Sequence, residues 1–158
     1  MSGEVERVHA TAIALGRRAV LIRGASGTGK SDLALRCLAL GPSAIVREPI
    51  NFVADDQVIL KHQGSELLAS APPSLLGKLE VRGLGILEVD AIAEASLVLV
   101  ADLVHDGSIE RFPDPWPFAS ILGFDIPVVR LSPFESSSPV KLLKAIDMAP
   151  RTRINLKA

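Results

Sequence analysis

Apolar residues fall along this chain in short runs cut off by glycine, proline and charge. That pattern belongs to buried strands more than to long helices. Residues 4–15 read as an opening strand, with a turn at Gly16-Arg17-Arg18. Ala19-Val20-Leu21-Ile22 is a short apolar run bounded by charge and glycine, and predicts a buried strand. A glycine-rich turn over 24–30 leads into a helix over 31–40, which Gly41-Pro42 ends. Residues 51–54 predict a strand running into Asp55-Asp56, and 57–60 continue extended. After a break at Ala71-Pro72-Pro73, residues 79–89 suggest a strand interrupted by Gly83 and Gly85. The β-branched run Leu97-Val98-Leu99-Val100 is the best candidate for a central strand. Residues 105–117 are proline-dense loop, and 128–131 form a late strand. A last helix begins with Ser138 as its cap and Pro139 at its first position. It carries Val140, Leu143 and Ile146 on one side and Lys141 and Lys144 on another.

Strands with few helices between them predict a mixed α/β domain, richer in strand than an ordinary doubly wound nucleotide-binding fold. The expected organisation is one domain over residues 1–150 and a polar, frayed tail over 151–158.

Composition narrows the function. A formal net charge of −1 argues against binding a phosphate backbone as the main task. With 4% aromatic residues and no tyrosine, a nucleic-acid stacking platform is not expected. No apolar run approaches the ~20 residues of a membrane span, and the charged N-terminus does not read as a signal peptide. The single cysteine, Cys37, can make no internal disulfide, which fits a reducing cytoplasm. It lies in the apolar helical stretch and reads as core packing.

The strongest motif is Gly24-Ala25-Ser26-Gly27-Thr28-Gly29-Lys30-Ser31, which matches G-x-x-x-x-G-K-[ST] at every fixed position. Glycines let the backbone curl so that its N–H groups converge on a polyphosphate. Lys30 neutralises β/γ-phosphate charge, Ser31 offers a hydroxyl to Mg²⁺, and the following helix adds the positive end of its dipole. An apolar strand before the loop and an apolar helix after it supply the context the motif requires.

Phe52-Val53-Ala54-Asp55-Asp56 sets two carboxylates at the end of an apolar run. A P-loop enzyme needs one carboxylate near the metal, and a kinase needs one near the acceptor hydroxyl. Adjacent strand residues face opposite ways, so the two are expected to differ in role. Glu80 and Arg82, in Leu79-Glu80-Val81-Arg82-Gly83-Leu84-Gly85-Ile86-Leu87, would share a strand face. From the residues alone, a solvated pair on an edge strand is the simpler reading. The same holds for His9 as a surface or packing residue, and His62 and His105 show no metal-ligand spacing.

Taken together, the order histidine, P-loop, Val-Ala-Asp-Asp and Leu-Glu-Val-Arg-Gly-Leu-Gly-Ile resembles the C-terminal catalytic domain of the HPr kinase/phosphorylase family. His9 stands as far before Gly24 as the family's active-site histidine stands before its P-loop. Residues 8–60 and 79–89 carry the likeness. The resemblance implies a P-loop kinase-like fold with a strand-rich mixed sheet, also of the phosphoenolpyruvate carboxykinase-like type. It implies an ATP- and Mg²⁺-dependent serine kinase for the phosphocarrier protein HPr, working in the cytoplasm as a homo-oligomer, a hexamer in the family. Residues 24–31 would hold the ATP phosphates, with Lys30 essential. Ser31, Glu80 and Asp55 would lie at the magnesium. Asp56 would be the general base, His9 would support the acidic pair, and Arg82 and Arg111 would be further active-site arginines. The chain resembles short members without the N-terminal domain. An Arg-Pro-Gly-Arg-Asn-type segment, linked in the family to dephosphorylation, is not visible. Leu131-Ser132-Pro133-Phe134-Glu135-Ser136-Ser137-Ser138 stands in its place. The expectation is a kinase with weak or absent phosphorylase activity. A P-loop kinase for another acceptor, or an ATP-sensing module with little turnover, are the alternatives.

Overall fold

A computed structural model describes residues 3–105 and 107–155. Its frame is a mixed sheet that, among the described residues, holds ten strands. In chain order the elements are β1 (Val5–Val8), β2 (Thr11–Leu15), β3 (Arg18–Arg23), α1 (Lys30–Leu38), β4 (Ile50–Ala54), β5 (Val58–Gln63) and β6 (Glu66–Ser70). A short 3₁₀ turn (Pro73–Leu75) precedes β7 (Lys78–Val81), β8 (Gly85–Glu88), β9 (Ala95–Leu103), β10 (Phe118–Ile121), β11 (Phe124–Leu131), α2 (Ser138–Met148) and β12 (Arg153–Ile154). The main path runs β1-β5-β6-β9-β3-β2-β4, while β7 and β8 form a separate hairpin.

The expected central strand holds that position. β9 pairs in parallel with β3 along one edge. On its other edge it pairs antiparallel with β6 at Ala95 and Ser96, then parallel with β11 from Val100 to Leu103. A strand that changes neighbour partway along lets the sheet curl. Opposite the step from Ala19 to Val20, β9 moves from Leu97 to Leu99, so Val98 is an extra, bulged residue.

Alternation decides which face each residue serves. Ile13, Leu15, Val20, Ile22, Phe52 and Leu99 pack on the side of the helices, against Leu33, Cys37, Leu142, Leu143 and Ile146. Ala12, Ala14, Leu21, Val53, Leu60, Leu67 and Phe124 build a second core on the opposite side. Strands β2 and β3 are therefore buried on both faces, and so read as continuous apolar runs rather than alternating ones.

Several sequence expectations change. The opening strand over 4–15 is two strands, because the chain breaks at His9-Ala10. β1 pairs with β5 and β2 with β3 and β4. The interrupted strand over 79–89 is a hairpin, with Gly83 and Gly85 both at positive φ (93° and 103°) in the reversal. Arg82 thus lies in the turn and not on a strand face shared with Glu80. Strands β6 and β10 were not expected. Ser138 is the first residue of α2 and Ser137 its cap. The Ser138 hydroxyl instead donates to the Ser132 carbonyl. In the expected tail, Arg153 and Ile154 pair with β11, and residues 156–158 lie outside the described residues. No helix among the described residues is long and apolar enough to cross a membrane.

Cys37 is fully buried between the helices, and burial pushes its thiol up to about 12. It should therefore react negligibly with a thiol reagent at neutral pH while the protein is folded, and at once in guanidinium chloride. A chromogenic disulfide assay in the two conditions checks this.

Candidate active site

The P-loop leaves β3 at Arg23 and ends where α1 begins at Lys30. Its glycines answer to different constraints. Gly27 and Gly29 have φ of 80° and 99°, which only glycine adopts freely. At Gly24 a side chain would collide with Thr28, whose Oγ1 lies 2.5 Å from an ideal Cβ. The Thr28 hydroxyl donates to the Ala25 carbonyl (2.6 Å) and closes the loop on itself. No side chain caps α1, so its first-turn amides remain available to an anion. The Lys30 ammonium lies back across the loop, donating to the carbonyls of Gly24 (2.7 Å) and Ala25 (3.0 Å). Burial lowers its pKa, against the pull of Asp55 and Asp56.

Asp55 and Asp56 do face different ways, although both lie past β4, in the bend before β5, rather than on a strand. Asp55 is 4% exposed and turns beneath α1. Its Oδ1 accepts from the hydroxyls of Ser31 (2.6 Å) and Thr11 (2.9 Å), and its Oδ2 from the backbone N–H of Glu80 (3.0 Å). Asp56 takes the left-handed conformation at φ 68° and turns outward, its side chain 59% exposed. Its Oδ1 lies 3.2 Å from Nδ1 of His9, and Nε2 of that ring lies 3.5 Å from the Ser26 hydroxyl. The histidine thus bridges the second carboxylate to the phosphate loop.

These groups border one cavity of about 480 Å³. His9, Ser26, Gly27, Gly29, Lys30, Ser31, Asp56, Glu80 and Arg82 line it, so the sequence candidates from four separate stretches do converge. Gly24, Ala25 and Thr28 shape the loop without lining the cavity, and Asp55 sits behind Ser31. Arg111 does not line it, being exposed on the loop after β9. The structure adds Thr11, Asp32, Leu35, Val81 and Phe134, which sequence reasoning had not singled out. Thr11 is an ordinary strand residue in sequence, whereas Phe134 was visible as the one aromatic in residues 131–138. Among the described residues, no three His, Cys, Asp or Glu side chains gather into a metal cage.

The strand–loop–helix unit on a curled mixed sheet, with one acid buried beneath the start of α1 and a second beside the loop, defines a P-loop domain of the strand-rich kinase type. The family model described as "HPr Serine kinase C-terminal domain" matches residues 2–154. The chain belongs to that family. HPr kinase/phosphorylase of Cupriavidus metallidurans is 36% identical over 122 residues, covering 71% of this chain and 35% of that protein. The Clostridium perfringens protein of the same name is 30% identical over 135 residues, covering 79% and 41%. The chain thus spans well under half the length of these relatives. The solved HPr(Ser) kinase/phosphatase of Coxiella burnetii superposes with a TM-score of 0.75 over 90% of this chain and 95% of that one. At 22% identity that likeness establishes the shared fold.

Thr11 is fully buried and its hydroxyl serves the Asp55 carboxylate. Thr11→Val, which keeps the shape and removes the donor, should cost about 1.5–3 kcal/mol of stability, the worth of a hydrogen bond to a charged group. Thr11→Ser should retain most of it. Urea unfolding of the three proteins measures the difference.

Proposed function

We propose that this domain is an ATP- and Mg²⁺-dependent serine kinase whose acceptor is an HPr-type phosphocarrier protein. The observation that carries the reading is the split of the adjacent acids. Asp55 is buried on the Ser31 hydroxyl, while Asp56 is exposed in the cavity and paired with His9. A phosphate-binding module without turnover has no need of the second arrangement. Family membership and the relatives named HPr kinase/phosphorylase support HPr as the acceptor.

The donor set suits magnesium. Asp55 and Ser31 offer hard oxygens, and among the described residues the hydrogen bonds to Asp55 come from neutral donors. Mg²⁺ commonly takes one or two carboxylates and completes its shell with phosphate oxygens and water. Asp55 and Ser31, with Glu80 at the cavity wall, would hold it, and when bound it would offset phosphate charge.

The chain's own groups do the rest. Loop amides and Lys30 stabilise the charge that spreads over the γ-phosphoryl oxygens. Asp56 orients the acceptor serine and takes its hydroxyl proton as the oxygen attacks phosphorus in line and ADP departs. His9 fixes the Asp56 carboxylate from one side while touching Ser26, so base and phosphate loop keep a set relation. Arg82 supplies a positive charge at the cavity wall. In phosphorolysis, inorganic phosphate would attack phosphoserine, its proton passing by way of Asp56 to the leaving serine oxygen, and pyrophosphate would form. With Phe134 and Glu135 standing where the family carries its arginine-rich segment, we propose that this direction is weak.

The test is phosphoryl transfer from γ-labelled ATP and Mg²⁺ to purified HPr. Wild type should label an HPr serine. Lys30→Ala should abolish labelling. Asp56→Asn should lower it by about 10²–10⁴-fold while leaving nucleotide affinity nearly unchanged. Label transferred to a small molecule without HPr, or ATP bound with no transfer at all, would move the assignment to another acceptor or to a sensing role.

A further inference from the structure

Phe134 is a large apolar ring left 63% exposed on the cavity wall. Its backbone is firmly held nonetheless. Arg36 on α1 donates to the carbonyls of Pro133 and Glu135, and Ser138 to that of Ser132. The ring lies against the end of the P-loop, where a Cβ added to Gly29 would stand 3.0 Å from its Cε1. Leu35, on the next turn of α1, lines the same cavity. A pinned, exposed aromatic beside a phosphate loop has the chemistry of a stacking platform.

Sheet topology fixes which end of a ligand it would meet. Strands β3, β9 and β11 are parallel, so the loops that follow them open on one edge, where ligands bind in such sheets. Asp56 follows β4 and His9 precedes β2, both to one side of the P-loop strand β3. Phe134 follows β11, on the opposite side beyond β9. A nucleotide whose γ-phosphoryl points at Asp56 therefore carries its base toward Phe134.

We propose that Phe134, with Leu35 beside it, is the platform for the base of a purine nucleoside triphosphate, and rests on the reading of this cavity as the ATP site. A purine offers the larger ring face and is favoured over a pyrimidine. Phosphate contacts set where the ligand lies, and the ring selects a nucleotide over bare polyphosphate.

The experiment compares ATP with inorganic tripolyphosphate, each with Mg²⁺, by isothermal titration. Wild type should bind ATP more tightly than tripolyphosphate. Phe134→Ala should weaken ATP by about tenfold, the loss expected for one stacked base, and leave tripolyphosphate unchanged. Equal ATP affinity in wild type and Phe134→Ala would overturn the inference. So would equal weakening of both ligands, which would mean that the ring only props Gly29. Failure of wild type to bind either ligand would instead remove the nucleotide reading, and the inference with it. A second variant guards against a folding artefact. In a Trp116→Phe background, which removes the single native tryptophan, Phe134→Trp should keep ATP affinity. Its fluorescence should change with ATP and not with tripolyphosphate, and an unchanged signal with bound ATP would overturn the platform.

Discussion

The site depends on one buried carboxylate. Burying an anion is costly unless hydrogen bonds replace the water it loses. Asp55 has three donors within 3.0 Å, and each comes from a different part of the fold. Thr11 belongs to β2, Ser31 to the first turn of α1, and the Glu80 amide to β7. Because every donor must arrive for the burial to be tolerable, the carboxylate fixes three elements against the end of β4. It sets the position of the hairpin that carries Glu80 and Arg82. It also ties the start of α1, and so the P-loop, to the strand layer beneath.

The neighbouring residue shows what that anchoring makes possible. With Asp55 held inward, the chain must reverse at once into β5, and Gln57 N–H bonds back to the Asp55 carbonyl at 2.8 Å. The reversal puts Asp56 at φ 68°, a conformation that aspartate tolerates better than bulkier residues. One residue of displacement thus separates a carboxylate sealed behind a hydroxyl from one open to the cavity. The exposed His9–Asp56 pair adds little to stability in water. Its value is geometric, since the same ring reaches Ser26 on the loop.

How much of this could be read from the chain follows from how local each constraint is. The P-loop was legible because the glycines and Lys30 act within eight consecutive positions. The central strand was legible because a strand buried on both faces must be apolar throughout. Strand period led to the expectation that Asp55 and Asp56 would differ, but the split itself is made past the end of β4, by the left-handed bend at Asp56. Thr11 was not legible, because its partner lies 44 residues away and nothing in Thr11-Ala12-Ile13 marks the pairing. The hairpin was mistaken for one interrupted strand because Gly83 and Gly85 suit a bulge as well as a reversal. The short strands β6 and β10 are arms of two-residue hairpins, turning at Gly64-Ser65 onto β5 and at Leu122-Gly123 onto β11. They escaped because each apolar run is short and was read as part of the loop around its glycine. His9, Glu80 and Arg82 were ordinary surface residues by composition, and only the family likeness singled them out before the cavity brought them together.

The last helix enters the site indirectly. α1 and α2 share one core, in which Cys37 and Leu33 meet Leu142, Leu143 and Ile146. The connection into α2 is bound to α1 through Arg36, which Asp32 also holds at 2.9 Å. Gly29 is then constrained twice, by its own φ of 99° and by the ring of Phe134 lying where a side chain would go. The P-loop and the segment that follows β11 therefore cannot vary independently. A bulkier residue at position 29 would strain the loop and collide with Phe134 together. A shift of α2 in its core would be carried through Pro133 and Arg36 to the start of α1. The P-loop motif is local in sequence, but the position it holds in this domain is set by both helices and by the carboxylate beneath them.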